Sequence, residues 1–137
     1  MEISQLLGLD VGHKRIGVAR ASSLAMLAEP LRTVPTDGAL DKLKELVKEY
    51  NAATVVVGLP RNLQGDDTQQ TAWVREWVDE AKKQIELPFY WQDEALTSAV
   101  AEAELQTHKH SHDVDALAAA IILQDFLDSL ESERVPC

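Results

Sequence analysis

A chain of 137 residues with one cysteine and a formal net charge of −10 at pH 7 can bury one ordinary core without a disulfide or structural metal, and is too short for a second independent domain. No run approaches the roughly 18 apolar residues that span a bilayer and no secretory leader is evident, so a soluble, cytoplasmic protein without a membrane partner is expected. Residues 1–65 hold 8 Lys or Arg against 7 Asp or Glu and residues 66–137 hold 5 against 16, a balance that argues against a polyanion binder, whose affinity comes largely from basic side chains releasing counterions.

In chain order, residues 3–11 (ISQLLGLDV) and 15–21 (RIGVARA) read as strands around a Gly12-His13-Lys14 turn. Residues 27–34 form a third strand that Pro30 confines to an edge or breaks. Thr36 or Asp37 starts a helix ending near Tyr50, with Leu40, Leu43, Leu46 and Val47 at helical spacing. The β-branched run at 53–60 (ATVVVGLP) has the pattern of a strand buried on both faces of a parallel sheet. After the polar loop RNLQGDD, a second helix fits 68–85, with Ala72, Trp73, Val74, Trp77, Val78 and Ala81 at its apolar positions.

ELPFYWQDE at 86–94 reads as a strand ending in two carboxylates, TSAVAEAELQ at 97–106 as a short helix, and HKHSH at 108–112 as a break. The last helix, 114–130, is apolar nearly all round in its first half and therefore deeply buried. Residues 131–137 read as a flexible tail carrying an exposed Cys137. Strands first, then helix and strand in alternation, describe a single α/β domain over 1–130, a mixed sheet with helices on its faces.

Three carboxylates sit where this pattern calls for apolar or neutral residues. Asp10 falls in a strand beside the turn; Glu94 follows a strand at its C-terminal end, where open α/β sheets place their sites; Asp115 lies in the first turn of the most apolar helix. An unpaired buried carboxylate costs several kcal/mol, so each needs a hydrogen-bonding partner, water or a cation. Divalent Mg²⁺ or Mn²⁺ is one answer, since a carboxylate cluster holds two such ions about 4 Å apart, activating water against a phosphodiester. The plainer readings stand beside it: Asp10 closing the turn through backbone hydrogen bonds, and Asp93 and Glu94 as ordinary loop carboxylates. Asp113 and Asp115 point to nearly opposite sides of a helix, making Asp113 the better N-cap and Asp115 the better ligand.

Four blocks carry a resemblance. G-L-D-V-G-H-K-R-I-G-V-A at 8–19, V-V-G-L-P-R-N at 56–62, D-E-A-L-T-S at 93–98 and V-D-A-L-A-A-A-I-I-L-Q at 114–124 resemble, in that order, the sequence blocks of the YqgF/RuvX family. These are RNase H-like proteins described as Holliday-junction resolvase-like and as nucleases of pre-16S rRNA. The resemblance implies an RNase H-like fold, a mixed five-stranded sheet with helices on both faces, and Mg²⁺- or Mn²⁺-dependent phosphodiester hydrolysis with structured RNA or branched DNA as partner. It makes Asp10, Glu94 and Asp115 the catalytic metal ligands of a two-metal site. It assigns Arg15, Arg61, Asn62 and Thr97 to substrate positioning, with Lys14 and Lys109 adding positive charge.

Two departures stand out. The Ser-Asp pair usual after G-V-A is replaced by Arg20-Ala21-Ser22-Ser23, and the usual Lys/Arg-rich loop is shortened to His108-Lys109-His110-Ser111-His112, a weaker phosphate clamp at neutral pH. Those histidines also read as a solvated loop or a transition-metal site. Trp73 and Trp77, four apart on one helix, read as core packing or as stacking surfaces for bases. Beside nuclease action, two other classes fit: a non-catalytic nucleic-acid-binding module, and a phosphotransferase suggested by D-x-G-x-x-x-x-G, for which the chain is too short. Whether the protein is a monomer or a homodimer is open at this level.

Overall fold

β1 (Gln5–Val11) and β2 (Arg15–Ser22) form the expected antiparallel hairpin around the Gly12-His13-Lys14 turn. Val11 pairs with Ile16, and the loop Gly12–Arg15 is closed by the Gly12 N–H donating to the Arg15 carbonyl at 3.0 Å. The computed structural model describes residues 3–94 and 114–137. After the hairpin come β3 (Glu29–Pro35), α1 (Ala39–Tyr50), β4 (Ala52–Leu59), α2 (Gln69–Gln84), β5 (Phe89–Asp93), α3 (Val114–Asp128), a 3-10 turn at Glu131–Glu133 and β6 (Val135–Pro136). The helix expected at 97–106, the histidine loop and Asp113 lie outside the described residues.

The strands form one sheet in the order β3-β2-β1-β4-β5-β6. β1, β4 and β5 run parallel, while β2, β3 and β6 are antiparallel to their neighbours. β3 is an edge strand, as Pro30 requires, and its register with β2 shifts where Pro30 pairs with Ala19. Thr36 does not cap α1. Its N–H donates to the Lys14 carbonyl at 3.0 Å and its hydroxyl to the Gly12 carbonyl at 2.6 Å, which pins the β1–β2 turn from behind. The N-cap of α1 is Gly38, in the left-handed region at φ 79 that suits glycine.

The two faces of the sheet are packed differently. Toward α1 and α2, the branched side chains of Leu7, Leu9, Val11, Ile16, Val18, Val55 and Val57 meet Leu43, Leu46, Val74 and Val78. Burying each such side chain contributes about 1.5–3 kcal/mol. Ala72 is exposed; α2 buries Thr71, Val74, Val78 and Ala81, while Trp73 and Trp77 pack against the core half-buried. Thr68 caps α2, sharing a capping box with Thr71, and the Thr71 hydroxyl donates to the Pro60 carbonyl, tying the helix start to the exit of β4.

The opposite face is lined by small residues. Ala19 and Ala21 with Leu6 and Val56 meet Ala119, Ala120, Ile122, Leu123 and Phe126 of α3. A Cβ on Gly8 would stand 2.7 Å from the Leu123 Cβ, so α3 lies closer to the strands than a larger side chain would permit. The first half of α3 is buried as its composition requires.

The carboxyl end differs from expectation. Residues 131–137 are not loose: Val135 and Pro136 pair with Trp91 and Tyr90 as a sixth strand, and the Cys137 N–H donates to the Phe89 carbonyl at 2.8 Å. Lys82 Nζ bonds the Cys137 carbonyl at 2.5 Å. Cys137 is half-buried against the core, and burial pushes its thiol up to about 12. Two residues of strand with no alternation leave no periodic signal in the sequence.

Candidate active site

Strand alternation puts Leu6, Gly8 and Asp10 on the α3 face of β1, which accounts for a charged residue inside an apolar run. Asp10 pairs with Gly17 of β2, and one step beyond the Leu9–Val57 pair brings Gly58 of β4 alongside it. Both glycines make room. A Cβ on Gly17 would lie 1.8 Å from the backbone carbonyl oxygen of Asp115, and one on Gly58 would lie 2.4 Å from Oε2 of Glu94. Absent side chains on either side of one acid thus admit the other two.

Asp10 and Glu94 face each other within hydrogen-bonding reach, and each shifts the titration of the other. Burial raises Asp10 above the usual carboxylate range, the bond from Glu94 opposes that rise, and the charge of Asp115 adds to it. Glu94 is pushed up to about 8, first by burial, then by the charge and hydrogen bond of Asp10, then by Asp93. Asp115 turns elsewhere: its Oδ2 accepts a 2.8 Å bond from Nε of Arg15, an exposed side chain in β2. Among the described residues, no three acid, imidazole or thiol groups converge to enclose one ion in this arrangement.

The donor set nonetheless suits a hard divalent cation. Every donor is a carboxylate oxygen, and the upward shifts of Asp10 and Glu94, to which the neighbouring carboxylates contribute, are what a cation beside them would relieve.

This has a consequence for stability. Folded Glu94 titrates near 8 against 4.5 for the ordinary group, so between those values the folded state binds more protons than the unfolded one. Stability of the metal-free protein is expected to fall as pH rises from about 4.5 to 8. Added divalent cation reverses the loss at the upper end, where the carboxyl is free to ligate. Melting temperatures across that window, with and without Mg²⁺ or Mn²⁺, measure both effects; a flat metal-free profile contradicts them.

The remaining sequence-predicted residues divide. Lys14 is exposed in the pinned turn. Arg61 Nε stands 3.2 Å from Asp67 Oδ1, an ion pair in which the N–H is not aligned for a hydrogen bond. Arg75 shares the same aspartate at 3.4 Å. Asn62 builds its own loop: its side-chain oxygen accepts from the Gln64 and Asp66 N–H groups at 3.1 and 2.8 Å. Arg20, where the departure from the usual Ser-Asp pair begins, is directed away from the three acids. It pairs with Glu29 and lies over the Tyr50 ring at 4.9 Å, on the α1 side of the sheet. Thr97 and Lys109 lie outside the described residues. Sequence reasoning assigned neither Gly17 nor Gly58 the role of making room for the acids. It also missed the contact of His13 with Trp73, whose ring centroids are 4.1 Å apart.

Comparison with known proteins adds to this geometry. A family model described as RuvX, Holliday junction resolvase, matches residues 4–129. A protein of Roseiflexus sp. (strain RS-1) named "Putative pre-16S rRNA nuclease" is 40% identical over 136 residues, covering 93% of this chain and 96% of that one. One of the same name from Chloroflexus aggregans is 39% identical over 137 residues, covering 94% and 96%. Among solved structures, Thermus thermophilus RuvC in complex with a Holliday junction substrate superposes with a TM-score of 0.62 at 16% identity, covering 98% of this chain and 99% of that one. The fowlpox virus Holliday junction resolvase gives 0.55 at 11% identity, covering 92% and 99%. At those identities the structural likeness is one of fold, and that fold is RNase H-like, with six strands here where five were expected.

Proposed function

The chain belongs to the RuvX family, and from that premise we propose that it is a divalent-metal-dependent endonuclease of structured RNA whose task is the 5′ processing of pre-16S rRNA in ribosome biogenesis. The observation that carries the reading is the half-buried Asp10–Glu94 pair with Asp115 beside it, three carboxylates brought together where Gly17 and Gly58 leave room. In this reading Asp10, Glu94 and Asp115 hold two Mg²⁺ or Mn²⁺ ions. Bound there, such ions lower the pKa of an attacking water and stabilise the leaving oxygen of a phosphodiester.

The chain's own residues supply the rest. Asp10 and Glu94 would serve as ligands in their ionised forms, and Asp115 is oriented by the Arg15 guanidinium. Arg15, exposed and only partly neutralised, offers its remaining N–H groups to a phosphate. Lys14 adds a second positive charge on the same turn, and Arg61 and Arg75, which share Asp67, are the cations at the β4 exit. Asn62 shapes that exit loop, while Thr97 and Lys109 complete substrate positioning. Among the described residues no helix is long and apolar enough to cross a membrane; the enzyme's proposed place is the cytoplasm.

The description of the family as Holliday junction resolvases favours a second reading, cleavage of four-way DNA junctions, which would call for a homodimer because two strands are cut symmetrically. One experiment separates the two: purified protein with Mg²⁺ or Mn²⁺, offered a 5′-extended 16S precursor, a four-way DNA junction and single-stranded controls. Cleavage of the precursor with the junction left intact is expected. The converse establishes the second reading, and failure to cut any substrate with either ion removes the nuclease assignment.

A further inference from the structure

The β1–β2 turn carries more than its two flanking active-site residues. The His13 ring lies against the Trp73 indole with centroids 4.1 Å apart and planes inclined at 39°. His13 is exposed, so the rest of its ring faces water; Trp73 is half-buried, with part of the indole packed on the core. A solvent-exposed imidazole adds little to a core, and this one is followed directly by two exposed cations, Lys14 and Arg15. Aromatic faces beside positive charge are what surfaces that hold single-stranded nucleic acid offer.

Both supports of this ring pair are fixed in advance. Thr36 clamps the turn through the Gly12 and Lys14 carbonyls, and Thr71 clamps the first turn of α2 to Pro60. Little conformational freedom remains to be lost on binding. His13 follows Asp10 by three residues, within about 10 Å even along a fully extended chain, a short step along a polynucleotide. Asp10 faces α3 while the ring pair stands on the α2 side, so a strand laid across the end of the sheet would pass from one to the other.

We propose that His13, supported by Trp73, is a stacking platform for an unpaired nucleobase flanking the scissile phosphate, so that the enzyme selects RNA that is single-stranded beside the cut. The proposal rests on the nuclease reading for its substrate. A base can lie on a side chain only when it is not stacked within a duplex, which turns the platform into a discriminator between unpaired and paired flanks.

The test reads binding separately from chemistry. In the Asp10→Asn background without divalent cation, so that cleavage does not interfere, dissociation constants are measured by fluorescence anisotropy for a hairpin RNA with a single-stranded flank, for the same RNA with an abasic nucleotide at each flank position in turn, and for a blunt duplex. His13→Ala is expected to weaken the flanked hairpin about tenfold and leave the duplex unchanged. His13→Phe, which keeps an aromatic face, restores affinity. One abasic position should reproduce the loss without adding to that of His13→Ala. Equal weakening on the duplex, or none on the flanked hairpin, overturns the platform. Absence of cleavage by the wild-type protein would instead count against the nuclease reading and leaves these binding comparisons to be scored on their own.

Discussion

Asp10→Asn is expected to lower metal-dependent cleavage by about a thousandfold or more, equivalent to about 4 kcal/mol of lost transition-state stabilisation, while leaving the fold intact. Asparagine keeps the shape of the side chain but removes the charge from the most central of the three acids, the one flanked by Gly17 and Gly58. Stability should move the other way. Asp10 is a principal cause, after burial, of the rise in Glu94, and an amide can donate to the Glu94 carboxylate instead of repelling it. Glu94 then titrates nearer its ordinary range, and the metal-free variant should melt at or above the wild-type temperature at pH 8. Activity and stability of opposite sign are the mark of a site held under electrostatic strain for function. Initial cleavage rates and metal-free melting curves decide it: cutting within tenfold of wild type, or a loss of several degrees, would remove Asp10 from the centre of the chemistry.

Gly17→Ala is expected to be the most damaging single methyl group on the α3 face. The new Cβ would stand 1.8 Å from the Asp115 carbonyl oxygen and 2.8 Å from the Ala116 nitrogen, so it meets backbone that has no rotamer to escape into. The start of α3 must lift from β2, with a cost of about 3 kcal/mol and a fall in melting temperature of about 10 °C for a domain of this size. Gly58→Ala provides the contrast. Its Cβ would meet the ends of two side chains, Oε2 of Glu94 and Cδ1 of Ile122, at 2.4 and 2.5 Å. Those can swing aside, so it should cost less stability while displacing a proposed metal ligand. Thermal melts of both variants, with divalent-ion titration of the second, check the pair; equal and small effects would mean that α3 is not seated against β2 as described.

Much of this arrangement was legible because it depends on period and polarity. The β-branched run of β4, the leucine spacing of α1 and the apolar first half of α3 each have one stable use, and Asp10, Glu94 and Asp115 were conspicuous as charges in apolar settings. The roles of the glycines were hidden in the register of pairing. Closing the ladder at Val11–Ile16 sets Asp10 opposite Gly17, whereas closing it at Val11–Arg15 would set Asp10 opposite Ile16, and a shift of one residue exchanges every side chain between faces. Thr36 was misleading for a different reason: a hydroxyl that can accept at a helix N-cap can equally donate, and here it donates to the Gly12 carbonyl while Gly38 takes the cap position. Arg20 lies in the same strand as Arg15, yet strand alternation directs it to the other face, where Glu29 and Tyr50 engage it.

The sheet's outermost strands limit how copies of the chain can meet. β3 has proline at both 30 and 35 and exposes Glu29 and Arg32, while β6 offers two residues, one of them Pro136. Neither border presents an unbroken row of free N–H groups onto which a foreign strand could template itself. The protein is therefore protected against edge-to-edge aggregation, and two copies working on opposite arms of a branched substrate would have to join through helices or loops, with the sheets kept discontinuous.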